Sequence, residues 1–274
     1  MSVSRFIKNP LLLQQSRAIC TSATVCQGGN SWLNKLLSRQ ISPVEASKES
    51  HSRILSDKEV IYALHTHNVR PDSQQKYLEN YKKTVQLIES KKELGCDLVA
   101  SWTVQVGDLD QCVHLWRYTG GFEKIDLAEQ ELKNDNDFNN LVKEQGSLLR
   151  ARHLQYLLAF SYWPVSEPRE GHNIYEMRSY RLKPGNMVEW GNNWARAINF
   201  RKTNNECYAG FFSQIGRLYN VHHIWCYNSY QQRKETREYA WSQPGWDTCV
   251  QYTVPLIQDM HCRILIPTEF SPTQ

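Results

Sequence analysis

An internal repeat constrains this chain more than any other feature. The segment Gln105-Val-Gly-Asp-Leu-Asp-Gln-Cys-Val-His-Leu-Trp-Arg-Tyr118 aligns without gaps to Gln214-Ile-Gly-Arg-Leu-Tyr-Asn-Val-His-His-Ile-Trp-Cys-Tyr227, with six of fourteen positions identical and an offset of 109. Upstream, Ile61-Tyr62 and Pro71 match Ile174-Tyr175 and Pro184 at an offset of 113, so the first copy carries four extra residues in between. Two copies near ~100 residues are a duplicated domain, because a solenoid needs shorter and more numerous units.

Both copies share one pattern of elements. A strand (Val60–Val69; Asn173–Leu182) runs into a proline that opens a helix, where the missing N–H costs no hydrogen bond. Tyr77, Tyr81, Val85 and Ile88 recur at helical spacing in the first copy, as do Met187, Trp190, Trp194 and Ile198 in the second. Two strands follow (Leu98–Val106 with Cys112–Tyr118; Tyr208–Ile215 with Val221–Tyr227), joined by Gly-Asp-Leu-Asp and Gly-Arg-Leu-Tyr turns. A charged helical stretch and a closing strand, His153–Trp163 or Cys262–Pro267, complete each copy. The order β-α-β-β-α-β is the ferredoxin-like unit. Its sheet has one face under helices and one in need of cover, which a second copy supplies. The predicted fold class is therefore α+β: tandem duplicated ferredoxin-like units, with antiparallel sheets packed face to face and helices outside.

The chain before the repeats differs in kind. From Met1 to Val44 it has five basic residues (Arg5, Lys8, Arg17, Lys35, Arg39), seven serines and no acid before Glu45. That is the composition of a mitochondrial transit peptide, with Phe6, Leu12 and Leu13 opposite Arg5 and Lys8 if the segment is helical. An acid-free disordered tail is the alternative. The domain reading is residues 1–30 targeting, 31–57 an amphipathic stretch (Trp32–Ser38) and polar linker (Ser42–Ser56), 58–167 the first repeat and 168–274 the second. The net charge of +4 belongs largely to the leader, since residues 45–274 hold 27 bases against 28 acids. A nearly neutral body lacks the clustered cations of a nucleic-acid binder. No apolar run approaches the roughly 20 residues that span a bilayer. The eight cysteines show no C-x-x-C pair and read as free thiols.

His172-Asn-Ile-Tyr-Glu-Met-Arg-Ser-Tyr-Arg-Leu-Lys-Pro-Gly185, Glu189-Trp-Gly-Asn-Asn-Trp-Ala-Arg-Ala-Ile198, Gly210-Phe-Phe-Ser-Gln-Ile-Gly216, Val221-His-His-Ile-Trp225, Tyr252-Thr-Val-Pro-Leu256 and His114-Leu-Trp-Arg-Tyr-Thr-Gly-Gly121 together resemble the NipSnap family of mitochondrial proteins. The resemblance runs from about residue 30 to the C-terminus. It implies a dimeric α/β-barrel fold and import by the mitochondrial machinery. It also implies residence in the matrix, with exposure at the outer surface on depolarisation. There the family's proposed role is to recruit autophagy adaptors and ubiquitin-like autophagy modifiers. No catalytic residue, metal or cofactor comes with it. A vesicle-trafficking accessory role is suggested by the family name alone. Homo- and hetero-oligomers are both compatible with this reading.

The repeated His-x-Trp-x-Tyr offers chemistry. Alternate strand residues share a face, so His114, Trp116 and Tyr118 project together, as do His223, Trp225 and Tyr227. If the pseudo-twofold brings the sets together between the sheets, they form a pocket for haem, a flat ligand or acid–base work. The competing reading is core packing with each imidazole hydrogen-bonded. Trp190 and Trp194 share a helix face and read as core, with Arg196 directed away. The pairs Gly28-Gly29 and Gly120-Gly121 lack a nucleotide-binding frame. For partner recruitment, Phe138 and Leu141 match an aromatic-x-x-aliphatic motif bound by β-augmentation, with Asp135 and Asp137 as acidic flanks. If the segment is helical instead, an aspartate is its N-cap and Phe138 a buried anchor. The sequence-level expectation is a non-enzymatic adaptor, with a ligand-binding protein or enzyme as the alternative.

Overall fold

A computed structural model describes residues 51–56 and 59–274. The transit-peptide reading, the Trp32–Ser38 helix and Cys20 and Cys26 lie outside the described residues. A one-turn helix α1 (His51–Leu55) precedes the first repeat, which runs β1 (Val60–Val69), α2 (Gln74–Ser90), β2 (Cys96–Val106), β3 (Gln111–Thr119), α3 (Gly121–Asn134), α4 (Asn136–Leu148) and β4 (Leu149–Ala159). The second runs β5 (Ile174–Leu182), α5 (Met187–Ala197), β6 (Cys207–Ile215), β7 (Asn220–Tyr227), α6 (Tyr230–Ser242), α7 (Trp246–Thr253) and β8 (Ile257–Pro267).

The duplication extends to backbone detail. The β2–β3 turn places Gly107 and Asp110 at positive φ, and the β6–β7 turn does the same with Gly216 and Tyr219. From the fourth residue of each turn a carbonyl accepts the N–H that ends the first strand of its repeat, Val69 to Asp110 and Leu182 to Tyr219, both at 2.8 Å. A tyrosine at φ +59 pays a steric penalty that glycine or aspartate avoids, and this repeated bond offsets it.

Each repeat forms a four-stranded antiparallel sheet, β4-β1-β3-β2 and β8-β5-β7-β6. The sheets face each other as expected, and their edges also pair, β2 with β8 (Val104 opposite Leu265) and β4 with β6 (Leu158 opposite Phe212), giving one closed eight-stranded barrel. Closure satisfies edge N–H and C=O groups that two separate sheets would leave open. Inside, Trp102, Tyr175, Tyr208, Phe211, Leu115 and Met177 are fully buried. Tail residue Thr273 seals this end, bonding the Tyr175 hydroxyl at 2.9 Å.

Two boundaries differ from the sequence reading. The closing strands start earlier, at Leu149 and Ile257, because their first halves are polar and exposed and carry no hydrophobic signal. The first closing strand also ends at Ala159, not Trp163. Phe160 and Trp163 turn outward into the helix layer of the second repeat, with backbone bonds to Gly210. The linker is not wholly open either: Leu55 is buried in that layer, and its carbonyl accepts from Ser161 N–H at 3.0 Å.

Gly210 permits the Trp163 docking, since a Cβ there would lie 2.7 Å from the indole ring. Gly210→Ala is expected to destabilise the fold by about 1–3 kcal/mol through overpacking, measured by urea unfolding. A change under ~0.5 kcal/mol would show that the ring moves freely.

Candidate functional site

The His-x-Trp-x-Tyr faces do not meet between the sheets. On β3 the inward phase is Val113 and Leu115, while Cys112 and Trp116 pack under α2 with His114 between them; on β7, Ile224 and Cys226 face in, while Val221, Trp225 and Tyr227 pack under α5 and α6. The two strands are four positions apart around the barrel, so the sets lie on opposite outer sides. The predicted inter-sheet pocket of His114, Trp116, Tyr118, His223, Trp225 and Tyr227 is therefore corrected to two separate helix–sheet layers. On these two strands Val113, Leu115, Ile224 and Cys226 enter the barrel, and the larger aromatic phase takes the face that helices cover.

In the first layer His114 is fully satisfied. Thr268 donates to Ser101 Oγ (2.9 Å), and the chain continues through Ser101 to His114 Nδ1 (2.8 Å), His114 Nε2 to Tyr77 Oη (2.8 Å) and Tyr77 to His67 Nδ1 (2.6 Å). A neutral imidazole donates once and accepts once, and the two hydroxyls of Ser101 and Tyr77 meet both needs of His114 in either tautomer. The Tyr81 ring stacks on His114 at 3.7 Å, and Trp116 Nε1 donates to the Tyr81 hydroxyl. Burial, then the neighbouring histidines, holds His114 well below the ordinary imidazole value; burial takes His67 down to about 3. In the second layer His223 is enclosed by Trp163, Tyr180 and Trp194, and neither ring nitrogen has a hydrogen-bond partner among the described residues. Burial and then the Arg178 charge keep it neutral as well.

Each layer holds a cavity. That of the first repeat is about 440 Å³ and that of the second about 180 Å³. Their walls correspond through the duplication. Arg178, Tyr180, Trp194, Ala197 and Arg201 stand 113 residues after His65, His67, Tyr81, Thr84 and Ile88, and Trp225 stands 109 after Trp116. The second cavity differs in charge. Its walls include three arginines and no acid. Behind it, buried Glu176 accepts from Arg233 (2.7 Å) and Arg178 (3.2 Å), and Glu206 pairs with Arg201. Burial alone would raise the Glu176 carboxyl, but the Arg233 hydrogen bond and the Arg178 charge bring it down to about 2.

A NIPSNAP family model matches residues 62–164 and again residues 175–272, one match per repeat. The chain belongs to the NIPSNAP family. It is 72% identical over 245 residues to Protein NipSnap of Drosophila melanogaster, covering 89% of each chain. To Protein NipSnap homolog 2 of Homo sapiens it is 44% identical over 256 residues, covering 93% of this chain and 88% of that one. The crystal structure of an anthrone oxidase-like protein superposes with a TM-score of 0.54 at 12% identity, covering 80% of this chain and 96% of that one; at that identity the likeness is one of fold.

Within this NIPSNAP chain the Asp135–Leu141 segment is helical, not extended. Asp135 caps α4, its carboxylate accepting the Phe138 N–H at 2.8 Å and pairing with Lys91 at 2.9 Å, and Asp137 sits in the first turn. Phe138 packs against the core, and the Leu141 carbonyl accepts from the Asn80 amide at 3.2 Å. β-Augmentation needs an extended strand, so these four residues do not present that motif in the folded protein. Trp190 and Trp194 are core, as expected, with Arg196 exposed.

A recess of about 590 Å³ at the barrel mouth escaped the sequence reading. Thr66, Ser179 and His222 line it together with Arg263, which is 6% exposed and has no carboxylate partner among the described residues. The only sequence signal was the neighbouring histidine of the pair His222-His223, since the pair places one imidazole on each face of β7. Among the described residues no three His, Cys, Asp or Glu side chains cluster to hold a metal, the six cysteines are free, and no helix is long and apolar enough to cross a membrane.

Proposed function

We propose that this NIPSNAP chain is a non-enzymatic mitochondrial adaptor. It resides in the matrix of energised mitochondria and, exposed at the outer surface on depolarisation, recruits autophagy adaptors and ubiquitin-like modifiers. The observation that carries the reading is the division of the chain into an acid-free basic segment, Met1–Val44, and a nearly neutral body of 27 bases and 28 acids. A cationic leader is drawn inward by the membrane potential, so loss of potential leaves the folded body outside. Among the described residues neither repeated histidine has a carboxylate to orient it: His114 is held by two hydroxyls and His223 by no hydrogen bond.

Protease protection on intact and depolarised mitochondria, with affinity purification from both, tests the proposal. The expected result is protection in the first state, and accessibility with co-purified modifiers in the second. Accessibility that is independent of potential would overturn it. Replacing Arg5, Lys8 and Arg17 with glutamine is expected to abolish import.

A further inference from the structure

We propose that the cavity of the second repeat is a binding site for a small aromatic carboxylate. The inference does not depend on the adaptor role. Its first support is shape and lining. An apolar cavity of about 150 Å³ accommodates one benzene ring, and this one is about 180 Å³. Trp190, Trp194, Trp225 and Trp246 wall it, and the indole N–H of each lacks a hydrogen-bond partner among the described residues. Flat indole faces favour a ring over a flexible chain by offset or edge-to-face stacking. The mouth is open to a ligand, rimmed by exposed Trp241, Val254 and Met260.

The second support is charge. Arg178, Arg201 and Arg237 line the cavity, with Arg233 behind, and the carboxylates that act on these four are Glu176 and Glu206. Two positive charges are left over. Arg201 is fixed, stacked 4.1 Å over Trp225 and held by Glu206 and the Tyr227 hydroxyl. Arg237 has neither a hydrogen bond nor an ion pair among the described residues. Burial and then the charge of Arg178 pull it below the ordinary arginine value, and the weaker opposing pull of Glu176 does not restore it. A guanidinium gripping a carboxylate through two parallel N–H bonds is the usual way to complete such a cluster.

The third support is the other repeat. The equivalent frame carries His65, His67 and Ile88 where this one carries Arg178, Tyr180 and Arg201. The layer therefore folds without arginines at these positions. Their presence in one copy alone points to a ligand that this copy holds.

Calorimetric titration of the full chain with benzoate, indole-3-carboxylate, octanoate and inorganic phosphate tests the proposal. One site per chain is expected for the aromatic carboxylates. Arg237→Gln should weaken it about ten-fold or more. Because Arg237 has no hydrogen bond or ion pair among the described residues, that variant should melt no lower than the parent, which separates a lost ligand contact from a lost fold. Arg263→Gln, at the barrel mouth, should leave the affinity unchanged. The proposal fails if octanoate or phosphate binds more tightly than either ring, or if Arg237→Gln binds as the parent does. It also fails if Arg263→Gln removes the binding, or if no ligand binds at ~10 mM.

Discussion

Acidification from pH 7 to pH 5 is expected to remove most of the stability of the folded body. His67 and His222 sit at about 3, and His114 and His223 also lie well below the usual imidazole value, in each case first because of burial. None of the four is more than 4% exposed. All four are neutral in the native state, while in the unfolded chain they take up protons as the pH falls through about 6.5. Between the two values the unfolded state binds more protons, so stability rises with pH. The stabilisation is complete above about 6.5 and is lost progressively below it. Each imidazole costs up to about 1.4 kcal/mol per pH unit, or about 2 kcal/mol at pH 5. Four together approach about 8 kcal/mol, comparable with the ~5–15 kcal/mol net stability of a whole domain.

Thermal unfolding followed by near-ultraviolet circular dichroism in half-unit steps should show a melting temperature that is level above pH 7 and falls steeply below 6.5. Glu176 cannot account for a fall in this window. Its pKa is depressed to about 2, so its contribution is lost only as the pH drops below about 4.5. His223→Phe should flatten the profile, since His223 has no hydrogen bond among the described residues to lose, whereas His114→Phe breaks the chain from Thr268 to His67. A melting temperature unchanged from pH 7 to 5 would show that these rings are not held neutral.

Glu176→Ala should be the most damaging single substitution in the second repeat. Its fully buried carboxylate accepts from Arg178 and Arg233 and from the hydroxyl of Tyr227 at 3.4 Å. Truncation leaves four guanidiniums facing Glu206 alone. Breaking a buried pair from one side costs about 3–5 kcal/mol, because the desolvated charges remain. Arg237→Gln in the same chain should recover part of that loss, with a coupling of about 0.5–3 kcal/mol in a double-mutant cycle. Urea unfolding of the four proteins measures it. A loss below ~1 kcal/mol for Glu176→Ala, or strict additivity with Arg237→Gln, would show that water screens the cluster.

Much of the fold was legible in the sequence. The gap-free match of Gln105–Tyr118 to Gln214–Tyr227 announced two copies of one unit, and the spacing of Tyr77, Tyr81, Val85 and Ile88 placed a helix with its inner face correctly turned. The polar starts of β4 and β8 were missed because an exposed half-strand is held by backbone pairing, which leaves no trace in hydropathy. The candidate site was half legible. That His114, Trp116 and Tyr118 share a face follows from a period of two. Which face it is does not, because β3 is buried on both sides from Gln111 to Trp116 and shows no polar phase to mark the outside. The correspondence of the two cavities was available in the offsets of 113 and 109, but nothing local marks His65 or Ile88 as lining a wall.

The sequence by itself determined the duplication, the element order and the separation of a basic, acid-free N-terminal segment from a neutral body, because periodicity, proline placement and charge are local properties of the chain. Only the tertiary structure decided that the sheets close into a barrel, that the repeated histidines lie under helices, and that Arg178, Arg201 and Arg237 share one cavity with an excess of positive charge. Edge pairing sets Trp102 opposite Pro267 and Ala159 opposite Phe211, and side-chain burial on both faces of a strand likewise depends on partners distant along the chain, so no local window of sequence contains them.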